Sequence, residues 1–242
     1  MKGDPPMEHE YSENKLIVDV ETANDVDCPF TYDVSACITN PNNHNIVEKA
    51  FVIRDVFVYE QEMMKSAYYA EKIPQYIDDL RANNREMANF LYMRNELLRL
   101  MSEYNCNTVA AYNCHFDRNA LNNTLRYITK SRMRWFFPYD TNFICIWSMA
   151  CQTICQTEEY KKFAELHNLL SNNGRNYRTT AENVYAFLTN NPEFCEEHKG
   201  LEDVRIENYI MNYCFEHYDV FEKGLGINRG CWQWVKRNLI SG

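Results

Sequence analysis

The chain has 242 residues, 45% hydrophobic content and 34 acidic against 25 basic side chains, a formal net charge of −9. This is ordinary globular composition, long enough for one large domain or two small ones. The acidity argues against broad electrostatic binding of nucleic acid, which relies on many phosphate contacts, and no apolar run approaches the length of a membrane span. The polar N-terminus lacks the apolar core of a signal peptide, so the expected location is cytoplasmic. The ten cysteines form no C-x-x-C pair, and Cys145, Cys151 and Cys155 match no standard zinc-knuckle spacing. They read as reduced and mostly buried thiols.

Residues 1–14 read as a loosely attached or disordered tail. Leu16, Ile17, Val18 and Val20 make residues 15–21 a strand, and the near-continuous apolar run suits a central strand covered on both faces. Residues 24–29 form a polar turn, 32–38 a second strand and 40–45 a strong turn signal. Residues 46–59 continue as a third strand, which predicts an antiparallel meander. From Glu60 the apolar spacing becomes helical, over 62–80 and 85–104, with Asn83 and Asn84 between the two helices.

Residues 109–112 form a short strand, followed by a helix with Leu121, Leu125 and Ile128 along one face. Residues 130–136 are the most basic short stretch. Their interleaved aromatics suit either single-stranded nucleic acid or a solvated helix end beside a core aromatic pair. Residues 143–147 are an apolar strand or a buried helix start, and 158–170 a helix. Thr179 and Glu182 form a capping box opening a helix through Leu188. A last helix runs to Tyr218, with Leu201, Val204, Ile210, Tyr213 and Cys214 inward. Residues 221–242 form a C-terminal tail packed on the body through Trp232 and Trp234.

Three groups of titratable residues stand out. Asp19 and Glu21 are two apart on the first strand, so both leave the same face, about 7 Å apart along it. Like charges at the end of a buried strand raise each other's pKa unless a cation neutralises them, and hard divalent cations prefer oxygen ligands. The alternative is a turn-capping Asp19 and a merely exposed Glu21. Asp117 stands at a helix start, where an N-cap role alone could account for it. His198 precedes the last helix and Asp203 lies within its first turns, five residues on, so the two can converge. Alone, His198 reads as a loop histidine.

In order, these are D-x-E on a first strand, N-x-x-F-D after a later strand, and H-x-x-x-x-D at the head of a late helix. The chain thereby resembles the DEDDh family of 3′–5′ exonucleases. The matches fall at Asp19 and Glu21, at Asn113, Phe116, Asp117 and Leu121, and at His198, Leu201 and Asp203, while Asp140 and Thr141 resemble a structural D-T before a helix. The resemblance covers residues 15–220, which it marks as the exonuclease domain. It implies an α/β, ribonuclease H-like fold: a mixed β-sheet, with an antiparallel three-strand meander plus parallel strands, flanked by α-helices.

The resemblance further implies two divalent cations, Mg²⁺ or Mn²⁺, held by Asp19, Glu21, Asp117 and Asp203 in a two-metal mechanism. His198 would be the general base. Val20, Thr22, Asn113 and Phe116 would hold the terminal nucleotide. The implied reaction releases nucleoside 5′-monophosphates from the 3′ end of single-stranded DNA or RNA, with DNA favoured. An exoribonuclease and a non-catalytic binding platform are the alternatives. The chain departs from the family in three places. Ala23 and Asn24 follow Thr22 where the family has glycine, Tyr112 precedes Asn113 where histidine is common, and Gly200 stands where alanine is preferred.

Overall fold

The computed structural model describes residues 13–42, 44–67, 70–196, 200–218 and 230–237. His198 and most of both expected tails lie outside the described residues. The described chain runs β1 (Lys15–Ala23), β2 (Phe30–Thr39), β3 (Asn45–Ile53), α1 (Arg54–Phe57), α2 (Gln61–Met64), α3 (Ile73–Arg81), β4 (Glu86–Ala88), α4 (Phe90–Glu103) and β5 (Thr108–Ala111). It continues through α5 (Cys114–Thr129), β6 (Asn142–Cys145), α6 (Ile146–Gln152), α7 (Glu158–Leu166), α8 (Ala181–Leu188) and α9 (Leu201–His217). The strands form one mixed sheet in the order β4-β3-β2-β1-β5-β6. β1, β2 and β3 are the antiparallel meander, and β4, β5 and β6 each join a neighbour in parallel. The α/β fold expected from the sequence is therefore the one observed.

Strand alternation explains why β1 is central. Leu16, Val18 and Val20 point into a core shared with Phe90, Met93, Leu97, Leu121 and Leu125 of α4 and α5. Ile17 points the other way, into a second core with Ile146, Met149, Val204 and Ile210 of α6 and α9. Both faces are covered, so an uninterrupted apolar run suits the strand. On the second face the row after Ile17 is Asp19 and then Glu21, and there the apolar core gives way to carboxylates.

Several local expectations are corrected. The third strand stops at Ile53, and the chain turns helical at Arg54 because Val56 is buried beside Tyr32 and Tyr76 instead of continuing the ladder. Packing overrides its strand propensity. The region 62–80 is broken, and α3 restarts with Pro74 at its first turn, where a missing N–H costs no helical bond. Residues 86–88 form β4, and Asn89 then caps α4 by accepting the Tyr92 N–H at 2.8 Å. The cap of α8 is Thr180, not Thr179. Thr179 is buried and accepts the Trp147 indole N–H at 2.7 Å, so its hydroxyl is spent on tertiary contact. α7 ends at Leu166 instead of residue 170. Residues 143–147 combine both readings, with β6 ending at Cys145 and α6 starting at Ile146.

Lys130 closes α5 in the left-handed region (φ 54°). After it Phe136 and Phe137 enter the core, while Trp135 stays exposed with the Arg126 guanidinium 4.7 Å from its ring centre. The second core also takes in Cys231 and Val235, whereas Trp232 and Trp234, expected to pin the tail, are exposed. Cys145, Cys151 and Cys155 are buried free thiols. Among the described residues no helix is long and apolar enough to cross a membrane.

Phe136 is fully buried, edge-on to Phe90 and Phe137, and its carbonyl accepts the Arg94 Nε–H at 2.7 Å. Phe136→Ala should therefore lower unfolding free energy by about 3–5 kcal/mol in urea denaturation. A loss below about 1 kcal/mol would show that this segment lies outside the core.

Candidate active site

Asp19 and Glu21 share a face of β1 with their cross-strand partners on β2, Ser35 and Asp33. α9 packs over this face. It carries Asp203 in its first turn, where the carboxylate Oδ2 accepts the Gly200 N–H at 2.8 Å. One oxygen from each of Asp19, Glu21 and Asp203 lies within 4.8 Å of the others. Residues from β1 and α9, about 180 positions apart in the chain, thus meet at one point.

Asp117 comes from the junction after β5. β5 pairs only with residues 15–17 of β1, so the edge of β1 is open beyond Ile17. The first turn of α5 fills this opening. Asp117 is buried, and its carboxylate takes hydrogen bonds from its own backbone N–H and from that of Val20. It does not act as the helix cap, a position occupied by Asn113 without a side-chain bond. Among the expected nucleotide-holding residues, Val20 is buried and its N–H goes to Asp117, Thr22 and Phe116 are half-buried, and Asn113 is exposed. The β1–β2 register shifts between Glu21 and Thr22, an irregularity of the kind that re-aims side chains.

Sequence reasoning missed three further acids. Glu207 lies one turn after Asp203 on the same face of α9 and is buried. Its spacing of four from Asp203, at an inward-facing position, was the available signal. Glu196 approaches Asp203 closely enough for a carboxyl–carboxylate hydrogen bond. Asp33, fully buried, pairs with the guanidinium of buried Arg85, which also bonds Asp79 at 3.1 Å. No local pattern reveals Arg85 as the partner, because 52 residues separate it from Asp33.

This cluster is electrostatically costly. Burial pushes Asp19 well above the usual carboxylate range, and the charged groups acting on it most, Glu207, Glu21, Asp203 and Asp117, are all acids. Burial, with Asp33 and Asp203 nearby, pushes Glu21 up to about 9, partly offset by Lys72. Burial raises Asp117 to about 7 and Glu196 to about 8. Asp33 rises to about 6 because burial outweighs the opposing pull of Arg85. Asp203 Oδ1 is buried with no hydrogen-bond partner. An all-carboxylate donor set with an orphaned oxygen fits a hard divalent cation. Oxygens side by side on one Mg²⁺ ion stand about 3 Å apart, so the three carboxylates would draw together around a bound cation.

Gly200 shows why the chain departs from alanine there. Its φ is +64°, and a Cβ would sit 2.1 Å from the Ser35 hydroxyl oxygen. Only glycine lets the start of α9 approach β2 this closely. Asn24 replaces the expected glycine by adopting φ 73° and donating its side-chain amide to the Cys28 carbonyl at 2.8 Å. Tyr112, in place of histidine, donates its hydroxyl to the Thr179 carbonyl at 2.6 Å.

Gly200→Ala should cost about 1–3 kcal/mol of stability through overpacking. Ser35→Gly in the same chain should recover part of the loss, which a double-mutant cycle in urea would read. Additive losses would rule out the contact as the cause. The pH dependence follows from the raised carboxyls. Glu21, Glu196 and Asp117 hold protons in the folded state at pH values where the unfolded chain has lost them. Stability in chelator should therefore fall as pH rises from about 5 to about 9. A melting temperature that climbs over this range would contradict the burial of the cluster.

No family model matches the chain, and no curated protein matches it. Among solved structures it is similar to exonuclease I, in a structure said to suggest how processivity is achieved, with TM-score 0.51, 12% identity, and 85% of this chain and 44% of that one covered. It is also similar to Escherichia coli exonuclease I in complex with a dT13 oligonucleotide (TM-score 0.51, 12% identity, 83% and 40% covered). A zinc-bound form of the E. coli exonuclease I–single-stranded DNA complex gives TM-score 0.50 and 12% identity, with 85% and 43% covered. The chain spans less than half the length of these structures, and the likeness is one of fold.

Proposed function

We propose that the chain is a metal-dependent 3′–5′ exonuclease of the DEDDh kind, with residues 15–220 as its exonuclease domain. The observation that carries this reading is the convergence of Asp19, Glu21 and Asp203 within 4.8 Å on a fold similar to that of exonuclease I. Asp19, Glu21, Asp117 and Asp203 would hold two divalent cations, Mg²⁺ or Mn²⁺. When bound, such ions supply Lewis-acid activation of water and neutralise charge developing on a phosphodiester.

The chain's own groups supply the rest. Glu21, Asp203 and Asp117 are all among the charges acting most on Asp19, so Asp19 would serve both ions. The imidazole of His198 would take the proton from the attacking water, a role that suits a histidine near neutral pH. Phe116 and Thr22, half-buried beside the acids, with Val20 and Asn113, would hold the terminal nucleotide. A base can stack on an aromatic face such as that of Phe116. Single-stranded DNA is the favoured substrate because the solved structures similar in fold include complexes with it.

The test uses 5′-labelled single-stranded DNA and RNA of one sequence, with Mg²⁺, Mn²⁺ or chelator. Metal-dependent shortening from the 3′ end is expected, faster on DNA. In His198→Ala the rate should fall roughly 10²–10⁴-fold while Mn²⁺ still raises the melting temperature. Asp19→Asn should shrink that rise. Faster shortening of RNA would identify an exoribonuclease. No shortening of either strand would leave a non-catalytic binding platform.

A further inference from the structure

In a chain with a net charge of −9, cations have acids to pair with. Arg81, Arg99, Arg205 and Arg237 each do so. A different arrangement gathers around α5 and the segment after it. Among the described residues, Arg94, Arg118, Arg126 and Arg134 form no ion pair with a carboxylate. They surround Trp135, which is 52% exposed.

The chain builds this patch by doubling back. Lys130 closes α5 in the left-handed region, and residues 131–136 return along the helix. The Arg134 carbonyl accepts the Arg126 Nε–H at 3.1 Å, and the Phe136 N–H donates to Asn122 Oδ1 at 2.8 Å. The Trp135 ring centre then lies 4.7 Å from the Arg126 guanidinium and 5.6 Å from that of Arg118. Arg94 of α4 holds the same segment, donating to the carbonyls of Phe136 at 2.7 Å and Trp135 at 3.3 Å. Burial lowers the pKa of Arg94, and the nearby Arg134 lowers it further, so these cations are close enough to repel. An exposed indole clasped by arginines without acids suits a ligand carrying both negative charge and flat apolar faces. Single-stranded nucleic acid has this chemistry, with phosphates for the guanidinium groups and bases for the ring.

The patch begins at the candidate site. Arg118 directly follows Asp117, and its guanidinium also lies 4.7 Å from the ring centre of Phe143. Nine residues of α5 separate Asp117 from Arg126, about 13 Å along the helix axis. A stacked strand at ~3.4 Å per nucleotide covers that span with about four nucleotides. Resting on the exonuclease reading for the position of the 3′ end, we infer that Trp135, Arg118, Arg126 and Arg134 form the docking surface for the single strand just upstream of that end. A base packs against the exposed indole, and the arginines bond the flanking phosphates. The surface is confined to one side of α5, so an acidic chain can still hold a strand there.

The test is binding of 5′-labelled dT13 and of an RNA of matching length to the full chain in chelator, read by fluorescence anisotropy over a salt series. Trp135→Ala should weaken binding about 5–150-fold, the equivalent of the ~1–3 kcal/mol that one base gains on an aromatic side chain. Trp135→Phe, which keeps a ring, should restore most of the affinity. Arg126→Gln should weaken binding and reduce the slope of log K against log salt by about 0.7, the value for one phosphate of a single strand. Arg81→Gln on α3 removes the same charge elsewhere and should change neither. A loss confined to DNA or to RNA would name the strand that the surface accepts. Undetectable binding by the wild type, equal affinities for wild type, Trp135→Ala and Arg126→Gln, or an equal loss in Arg81→Gln overturns the surface. Losses in the patch variants, with neither strand shortened by the wild type in Mg²⁺ or Mn²⁺, uphold the surface and overturn the exonuclease reading alone.

Discussion

Repulsion among carboxylates crowded on one half-covered face of β1 is the constraint on which the rest of the structure depends. β1 sends Asp19 and Glu21 from one face, and α9 lays Asp203 and Glu207 over them. Burial and like charge both oppose this arrangement. Only a rigid frame can impose it, and the frame is a central strand gripped by two cores. A cation placed among these groups would relieve that repulsion.

The close approach of α9 to β2 makes this geometry possible. Gly200 passes so near Ser35 that no side chain fits, and its N–H orients the Asp203 carboxylate. Beneath it, Arg85 neutralises Asp33, so this member of the acidic face is absorbed into the scaffold. Arg85 itself lies just before β4 and stacks on Tyr76 at 4.8 Å. The two departures at Asn24 and Tyr112 are likewise absorbed locally, through a left-handed asparagine and a tyrosine hydroxyl bonded to the backbone before α8. Neither disturbs the acids.

Legibility in the sequence followed the range of the interaction. The period-two placement of Asp19 and Glu21 and the Asn113–Asp117 junction after a short strand are local patterns, and the structure brings these acids together with Asp203. The turn to helix at Arg54 and the transfer of the α8 cap from Thr179 to Thr180 were not legible. In both cases a tertiary contact, Val56 into the core or Thr179 to Trp147, outbid the local propensity. The short strand β4 was read as the start of a helix because three residues carry too little period to declare themselves. Glu207 was hidden differently, since an acid on a helix reads as solvated until a neighbouring sheet covers it.

The sequence by itself determined the mixed α/β order of elements and the acids that β1, α5 and α9 carry, because strand and helix periods are properties of neighbouring residues. Tertiary structure alone decided which acids share a site, which one is paired off with Arg85, and that Glu207 is buried among them. The physical reason is that charge–charge energies depend on through-space distance and burial, and neither is encoded at any spacing along the chain.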